Sequence, residues 1–194
     1  LYGEPEYLPC DESHPIRPIS PYGLSKWTLE KYIDLIVPDT ILKKILRLGN
    51  VYGPRQDHKG ASGVVAIFLS KMLLGEKVEI YGDGNQIRDF THVSDIAESA
   101  VLSIEKSSTN GKFFNSGTGK PTKVNDIVKY VFENIDKVPI HYKPHPPGDP
   151  LGGYADNSLM KKLLGWEPEY TLQEGIKEYF EWLDENEHLI PEWT

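Results

Sequence analysis

The sequence has 194 residues, 39 % apolar and 11 % aromatic, so it can bury the core of one domain or a small two-part unit and is not intrinsically disordered. Its 29 acidic residues outnumber 21 basic ones, and the net charge of −8 argues against wholesale binding to nucleic acid or anionic lipid, which both need a basic field. The single cysteine, Cys10, rules out an internal disulfide and a cysteine-based zinc site and fits a reducing, cytoplasmic setting; no apolar run approaches the roughly 18 residues of a membrane span.

The chain opens without an initiator Met or a signal-peptide pattern. Leu1 to Pro5 reads as a strand end running into a turn, so the chain is expected to begin in mid-fold. Residues 1–21, rich in Pro, Asp and Ser, read as a long loop. A helix follows from Tyr22, with Leu29, Tyr32, Ile33 and Ile36 at helical spacing and Pro38 as its stop. Ile41 to Leu48 reads as a strand and Asn50 to Arg55 as a turn. Val64 to Leu74, apolar nearly all round, predicts a buried helix ending at Gly75. Lys77 to Tyr81 alternates like a half-buried strand, and Gly82-Asp83-Gly84-Asn85 is the turn after it.

Phe90 to Val93 predicts a short strand. Ser94 is the expected cap of the next helix, with Ile96, Ala97, Ala100, Val101 and Ile104 on one face. Lys112 to Asn115 is the next strand. Val124, Ile127, Val128, Val131, Phe132 and Ile135 mark the clearest amphipathic helix, and Ile140 to Lys143 a further strand. Ser158 to Leu164 is a short helix with Gly165 past its end. Thr171 and Glu174 form a capping box for a last helix that buries Ile176, Tyr179, Phe180 and Leu183. Strands alternate with helices, which predicts an α/β fold with a mostly parallel sheet.

Tyr22 and Lys26 are four residues apart and so share one helix face. An ammonium beside a phenol favours the phenolate, and such a Tyr can take a proton from an alcohol undergoing oxidation. The spacing is unspecific by itself: with 11 Tyr in the chain, about one Tyr-x-x-x-Lys pair is expected by chance. The ordered series around it is far more specific. Ser20-Pro21-Tyr22-Gly23-Leu24-Ser25-Lys26 is followed by Leu46-Arg47-Leu48-Gly49-Asn50-Val51-Tyr52-Gly53-Pro54-Arg55, then by Ile80-Tyr81-Gly82-Asp83-Gly84-Asn85-Gln86-Ile87-Arg88-Asp89-Phe90. Asn115-Ser116-Gly117-Thr118-Gly119, Pro147-Gly148-Asp149-Pro150, Tyr154-Ala155-Asp156 and Leu164-Gly165-Trp166 complete it. In this order the chain resembles, over essentially its whole length, the extended short-chain dehydrogenase/reductases that act on nucleotide-sugars, and among them most the UDP-glucose 4-epimerase group.

The resemblance implies an α/β fold made of the C-terminal part of a doubly wound Rossmann-type sheet plus a smaller α/β nucleotide-sugar-binding domain. Residues 1–57 would be the remaining part of the NAD-binding domain. Residues 58–194 would be mainly the substrate domain, with about 88–118 returning to the first. It implies Tyr22 as catalytic base and Lys26 as the residue that holds the nicotinamide ribose of NAD and tunes that Tyr. It also implies Asn50 and Arg88 as contacts to the diphosphate of the nucleotide-sugar and Asp149 as acceptor for the nucleotide ribose hydroxyls. A guanidinium fork suits phosphate oxygens, and Arg88 is one of four arginines. The residues alone leave open that Asn50 satisfies its own turn, that Arg88 pairs with Asp89 or Asp95, and that Asp149 is a loop-turn Asp. Val64 and Val65 fall near the base, with a core role equally open. Arg47 is read as fixing the strand and turn, outside the site. His92, His141 and His145 lack metal-ligand spacing and are read as non-ligands.

Three departures from the family pattern stand out. The Gly-x-x-Gly-x-x-Gly loop after the first strand is absent, and Gly82-Asp83-Gly84 does not replace it. The family's catalytic Ser or Thr falls just ahead of residue 1. Where many relatives have an Arg three positions before the ribose-binding Asp, this chain has Pro146. The activity implied is C4 epimerisation of a UDP-hexose or its N-acetyl form through a transient 4-keto sugar, in a homodimer. A 4,6-dehydratase and an inactive fragment that only binds nucleotide-sugar are the rival readings. The fragment alone is expected to be inactive. Gly153, four residues after Asp149, takes the place where some relatives set a Tyr against the sugar 2-substituent; a turn needing positive φ is its alternative role.

Overall fold

The structure is a computed structural model that describes residues 1–57, 63–106, 111–146 and 152–186. Its elements, in chain order, are α1 (Pro21–Ile36), β1 (Ile45–Leu48), β2 (Asn50–Tyr52), α2 (Val64–Leu73), β3 (Val78–Tyr81), β4 (Ile87–Arg88), β5 (Phe90–His92), α3 (Val93–Glu105), β6 (Phe113–Ser116), β7 (Thr122–Lys123), α4 (Val124–Val131), β8 (Ile140–Lys143), α5 (Ser158–Leu164) and α6 (Leu172–Glu185). Strand pairs β1–β6, β2–β5 and β3–β8 are parallel, and the two-residue pair β4–β7 is antiparallel. The α/β class with mainly parallel pairing is as the sequence predicts.

β1 and β2 form one extended path that changes neighbours at Gly49. Residues up to Leu48 pair with β6, and from Asn50 onward with β5. Gly49 N–H donates to the Ser116 carbonyl at 2.9 Å and Asn50 N–H to the Asp89 carbonyl at 2.6 Å. A Cβ at Gly49 would stand 2.8 Å from that Asp89 oxygen, so the exchange of partners needs glycine there. Asn50 to Tyr52 is therefore a strand, not the turn expected from its Asn and Gly. No strand forms at Leu1 to Pro5, and β1 starts at Ile45, four residues later than expected.

The larger core lies between β3 and α2, α4 and α6. Phe68, Leu69, Met72, Val78, Ile80, Ile127, Val131, Ile176, Tyr179 and Leu183 are all at most 2 % exposed in it. A smaller cluster of Phe114, Met160, Leu164 and Trp166 sits where α5 meets β6. α6 starts with the expected capping box: Thr171 Oγ1 accepts from Glu174 N–H, and the Glu174 carboxylate accepts from Thr171 N–H. Gly165 closes α5 at φ 69°.

Two helices turn small or polar residues inward and leave apolar ones exposed. In α1, Leu29, Tyr32 and Ile36 are exposed, while Gly23 and Glu30 are buried. In α3, Val101 and Ile104 are exposed and Asp95, Ser99 and Ser103 face inward. Small hydroxyl side chains let α3 lie close to the sheet: Ser99 Oγ stands 3.0 Å from Ser116 Oγ, and Ser99 and Ser103 donate their hydroxyls to the Ile96 and Ala100 carbonyls of their own helix. The cap of α3 is His92 rather than Ser94. Its Nδ1 accepts from Ser94 N–H at 3.4 Å. The antiparallel pair β4–β7 has too short a pattern to read in sequence.

His92 is 1 % exposed, stacked on Tyr170 at 4.0 Å and edge-on to Tyr52. Its Nε2 meets no hydrogen-bond partner among the described residues. Burial holds its pKa below the ordinary histidine value, against the opposing pull of Glu178 and Asp95. The unfolded chain therefore accepts a proton that the native state resists. This contribution to stability is complete above about pH 6.5 and is lost as pH falls through the unfolded value. The urea midpoint is expected to drop between about pH 7.5 and 5.5, and His92→Asn, which keeps a cap acceptor, should shrink the drop. An equal drop in the variant would assign the effect to other groups.

Candidate functional site

α1 begins at a helix start capped by its own Ser20. Ser20 Oγ accepts from Gly23 N–H at 3.1 Å, and Pro21 occupies the first turn, where a missing N–H costs nothing. This leaves the next side chains outward. Tyr22 is 72 % exposed, and Lys26 stands one turn on with Nζ 5.2 Å from the centre of the Tyr22 ring. One more turn brings Glu30, buried against Arg47.

Two adjoining cavities, of about 600 and 530 Å³, open beside this helix face and share Leu1, Tyr22, Arg47, Leu48, Gly49 and Asn50 in their walls. The first also takes in Lys26, Val64 and Val65; the second takes in Arg88 and Gly153. The fold thus gathers seven of the residues singled out in sequence around two adjoining cavities. Asp149 lies outside the described residues. Asn50 is at the junction, on the strand that leaves Gly49. Val65 is 1 % exposed and belongs to the core at the start of α2, with Val64 partly buried beside it.

Arg88 is half-buried at the end of β4, and its Nη1 donates to the Ile87 carbonyl at 2.9 Å. The carboxylates of Asp89 and Asp95 are directed at backbone amides. Asp89 Oδ1 accepts from Thr118 N–H and Oγ1, and Oδ2 from Gly119 and Ala155 N–H, at 2.6 to 3.1 Å. Asp95 accepts from Glu169 and Tyr170 N–H. Through Ala155, Asp89 fixes the wall that carries Gly153. That wall also bridges Ile87 at Gly152, and Gly153 N–H donates to the Ile87 carbonyl at 3.2 Å. A Cβ at Gly152 would crowd Ile87 at 3.0 Å, whereas among the described residues one at Gly153 would meet only Pro5 Cγ, at an ordinary 3.5 Å. Neither glycine has positive φ, so the turn role for Gly153 fails.

Arg47 projects between the cavities, but its fork is engaged. Nε and Nη2 donate to the two Glu30 oxygens at 2.9 and 2.8 Å, and Nη1 to the Tyr2 hydroxyl at 3.0 Å. Burial pulls the Arg47 pKa down, and the bonds to Glu30 and Tyr2 outweigh it, so the guanidinium is held charged. Burial raises Tyr2, opposed by Arg47, and the Tyr2 hydroxyl donates to Asn115 Oδ1 at 2.6 Å. The sequence reading overlooked Glu30, although its spacing of four from Lys26 and eight from Tyr22 was a usable sign. It also passed over Asp89 except as a partner for Arg88.

No group of His, Cys, Asp and Glu that could hold a metal ion occurs among the described residues. For NAD the residues present fit one end. A phenol and an ammonium on one helix face suit the nicotinamide ribose. Among the helix starts, α1 has Pro21 in its first turn and its Gly23 amide taken, and α3 has its Ser94 amide taken by His92; neither is a pyrophosphate cradle. No described helix is long and apolar enough to cross a membrane.

A family model described as GDP-mannose 4,6 dehydratase matches residues 1–179. A putative UDP-glucose 4-epimerase of Methanocaldococcus jannaschii is 44 % identical over 189 residues, 96 % of this chain and 60 % of its own length. The crystal structure of UDP-glucose 4-epimerase from Thermotoga maritima with UDP-glucose superposes with a TM-score of 0.89 at 41 % identity, over 95 % of this chain and 60 % of that one. UDP-glucuronic acid 4-epimerase from Bacillus cereus, in complex with UDP-glucuronic acid and NAD, gives 0.87 at 28 % identity, over 95 % of this chain and 59 % of that one. The chain therefore spans about 60 % of the length of these relatives, and the fold is the Rossmann-like one they share.

Asp89 gathers segments far apart in sequence, so its loss should register in stability. Asp89→Ala would leave three backbone N–H groups without their acceptor and is expected to cost about 3 kcal/mol. Urea unfolding would measure it. A cost below about 1 kcal/mol would mean that water replaces the carboxylate freely.

Proposed function

The chain belongs to the GDP-mannose 4,6 dehydratase family, within the extended short-chain dehydrogenase/reductases that act on nucleotide-sugars, and from that premise we propose that the whole protein is an NAD-dependent nucleotide-sugar 4-epimerase. The observation that carries the reading is the placement of Tyr22 and Lys26, side by side and exposed, beside two adjoining cavities that share Tyr22 and Asn50, the second of which takes in Arg88 and Gly153. Residues 1–57 and about 88–118 are proposed as NAD-domain parts, and the rest of 58–194 as the nucleotide-sugar domain.

In this reading Tyr22 takes the proton of the sugar 4-hydroxyl and later returns one to the same oxygen. Lys26 holds a ribose hydroxyl. Asn50 and Arg88 hold the diphosphate, and Asp149 the nucleotide ribose. Bound NAD supplies the acceptor and donor of the two electrons exchanged at C4. Turning over of the 4-keto sugar between the two proton transfers inverts the centre. The apolar side chains exposed by α1, among them Leu24, Leu29 and Tyr32, are the proposed face for a second copy in a homodimer. The family's own description favours one second reading, a 4,6-dehydratase. Analysis of the product sugar separates the two: an epimer for one, a 4-keto-6-deoxy sugar for the other.

Tyr22→Phe in the whole enzyme is expected to cut turnover by ~10²–10⁴-fold with nucleotide-sugar affinity nearly unchanged. Turnover within a few-fold of the parent would remove Tyr22 from the mechanism. The open space at Gly153 leads to a further expectation, that N-acetylhexosamine nucleotides are accepted alongside plain hexose ones. Gly153→Tyr should then depress kcat/KM selectively for UDP-N-acetylglucosamine over UDP-glucose. Equal losses on both would make Gly153 a backbone requirement and not a gate.

A further inference from the structure

α1 meets strand β1 through a charged side chain. Leu24, Leu29, Leu35 and Ile36 face out, each more than 50 % exposed, and the one long side chain it buries is Glu30. Glu30 and Arg47 keep 7 % and 11 % of their side-chain surface and meet through two parallel N–H···O bonds. Arg47 stands within β1, paired in register with Asn115 of β6. Its guanidinium lies over the rings of Tyr2 and Phe113, and through the Tyr2 hydroxyl it reaches Asn115, whose side-chain amide donates to the Cys10 carbonyl. The fork is thus fixed from several directions before it meets α1.

A buried ion pair adds little net stability compared with a well-packed apolar pair of the same volume. What two parallel bonds to a planar fork do supply is geometry: they set both the distance of the helix from the strand and its roll about its own axis. Tyr22, Lys26 and Glu30 follow one another at intervals of four, so they lie along one face. Any roll of α1 that releases Glu30 also swings Tyr22 and Lys26 along the cavity wall. We propose that Glu30 and Arg47 are a positioning pair that aims Tyr22 and Lys26 at the reacting sugar, an inference that rests on Tyr22 being the base.

The test uses the whole enzyme with three variants. Glu30→Leu/Arg47→Met replaces the pair by apolar groups of similar size. It should melt within a few degrees of the parent and keep KM for the nucleotide-sugar within about threefold. Its kcat should fall by about tenfold or more, and the acid limb of the kcat profile should move. Arg47→Lys keeps the charge and gives up the fork, and should lie between the two in kcat. Parental kcat and pH profile in the folded double variant would overturn the proposal. If that variant does not fold, Arg47→Lys decides alone: parental kcat overturns it, and a lowered kcat at parental KM upholds it. Tyr22→Phe is measured beside them. If it too retains turnover, the base reading itself fails; if it is dead while the pair variants are parental, only the positioning inference fails.

Discussion

One carboxylate joins the parts of this structure that sequence keeps far apart. Asp89, 4 % exposed, receives amides from Thr118, Gly119 and Ala155, and its own carbonyl receives that of Asn50. The segments concerned are the path through Gly49, the loop after β6 and the wall before α5. Carboxylate bonds to several backbone N–H groups are charge-assisted and directional, and a buried charge left without them would be expensive. The positions of Asn50, Arg88 and Gly153 therefore have a common reference point, although none of these side chains bonds to the Asp89 carboxylate in the contacts described. Gly117 completes the arrangement, since a Cβ there would come within 2.5 Å of Asp89 Oδ2.

The two regions of the chain hold together by different physics. Around β3, α2, α4 and α6 the interior is apolar and close-packed, the ordinary source of folding free energy. Beside the cavities, α1 and α3 dock through polar groups: Glu30 on Arg47 for one, Ser99 against Ser116 and Asp95 on the Glu169 and Tyr170 amides for the other. Lys44 adds to this by donating to the Ser103 and Lys106 carbonyls at the end of α3. Polar docking yields less free energy per contact than apolar packing, but it defines geometry more narrowly. That division suits a scaffold whose packed part provides stability and whose polar part provides alignment.

What was legible in sequence follows the same division. α2, α4, α5 and α6, together with β3 and β8, were readable because hydrophobic periodicity and caps act locally: Thr171 with Glu174, Gly165 after Leu164. α1 and α3 are legible along the chain, but their apolar stripes do not tell which face is buried: Glu30 and Ser99 face in because particular partners wait for them on distant strands. Asn50 was read as a turn because Gly49, needed for an exchange of strand partners, looks like turn chemistry. Of the seven residues at the cavities, Tyr22, Lys26, Asn50 and Arg88 lie in the ordered series of motifs, which no periodicity rule would have found. Glu30 and Asp89 escaped because their roles depend on long-range pairing that spacing alone does not encode.

The glycines on the cavity wall show how such a site can vary without losing its frame. At Gly49, Gly117 and Gly152 an added Cβ would fall within 3.0 Å of atoms of Asp89 or Ile87, much of it backbone that cannot move without disturbing strand pairing or the Asp89 bonds. These three positions fix how closely the segments approach and leave no room for a side chain. Gly153, one residue from Gly152, has non-positive φ and, among the described residues, only Pro5 Cγ near its missing Cβ. A larger residue at that single position would alter the volume of the cavity and leave the hydrogen bonds of the wall in place. The frame is thus rigid where backbone meets backbone and adjustable at one side-chain position, so the shape of the site can change there without any cost to the Asp89 junction.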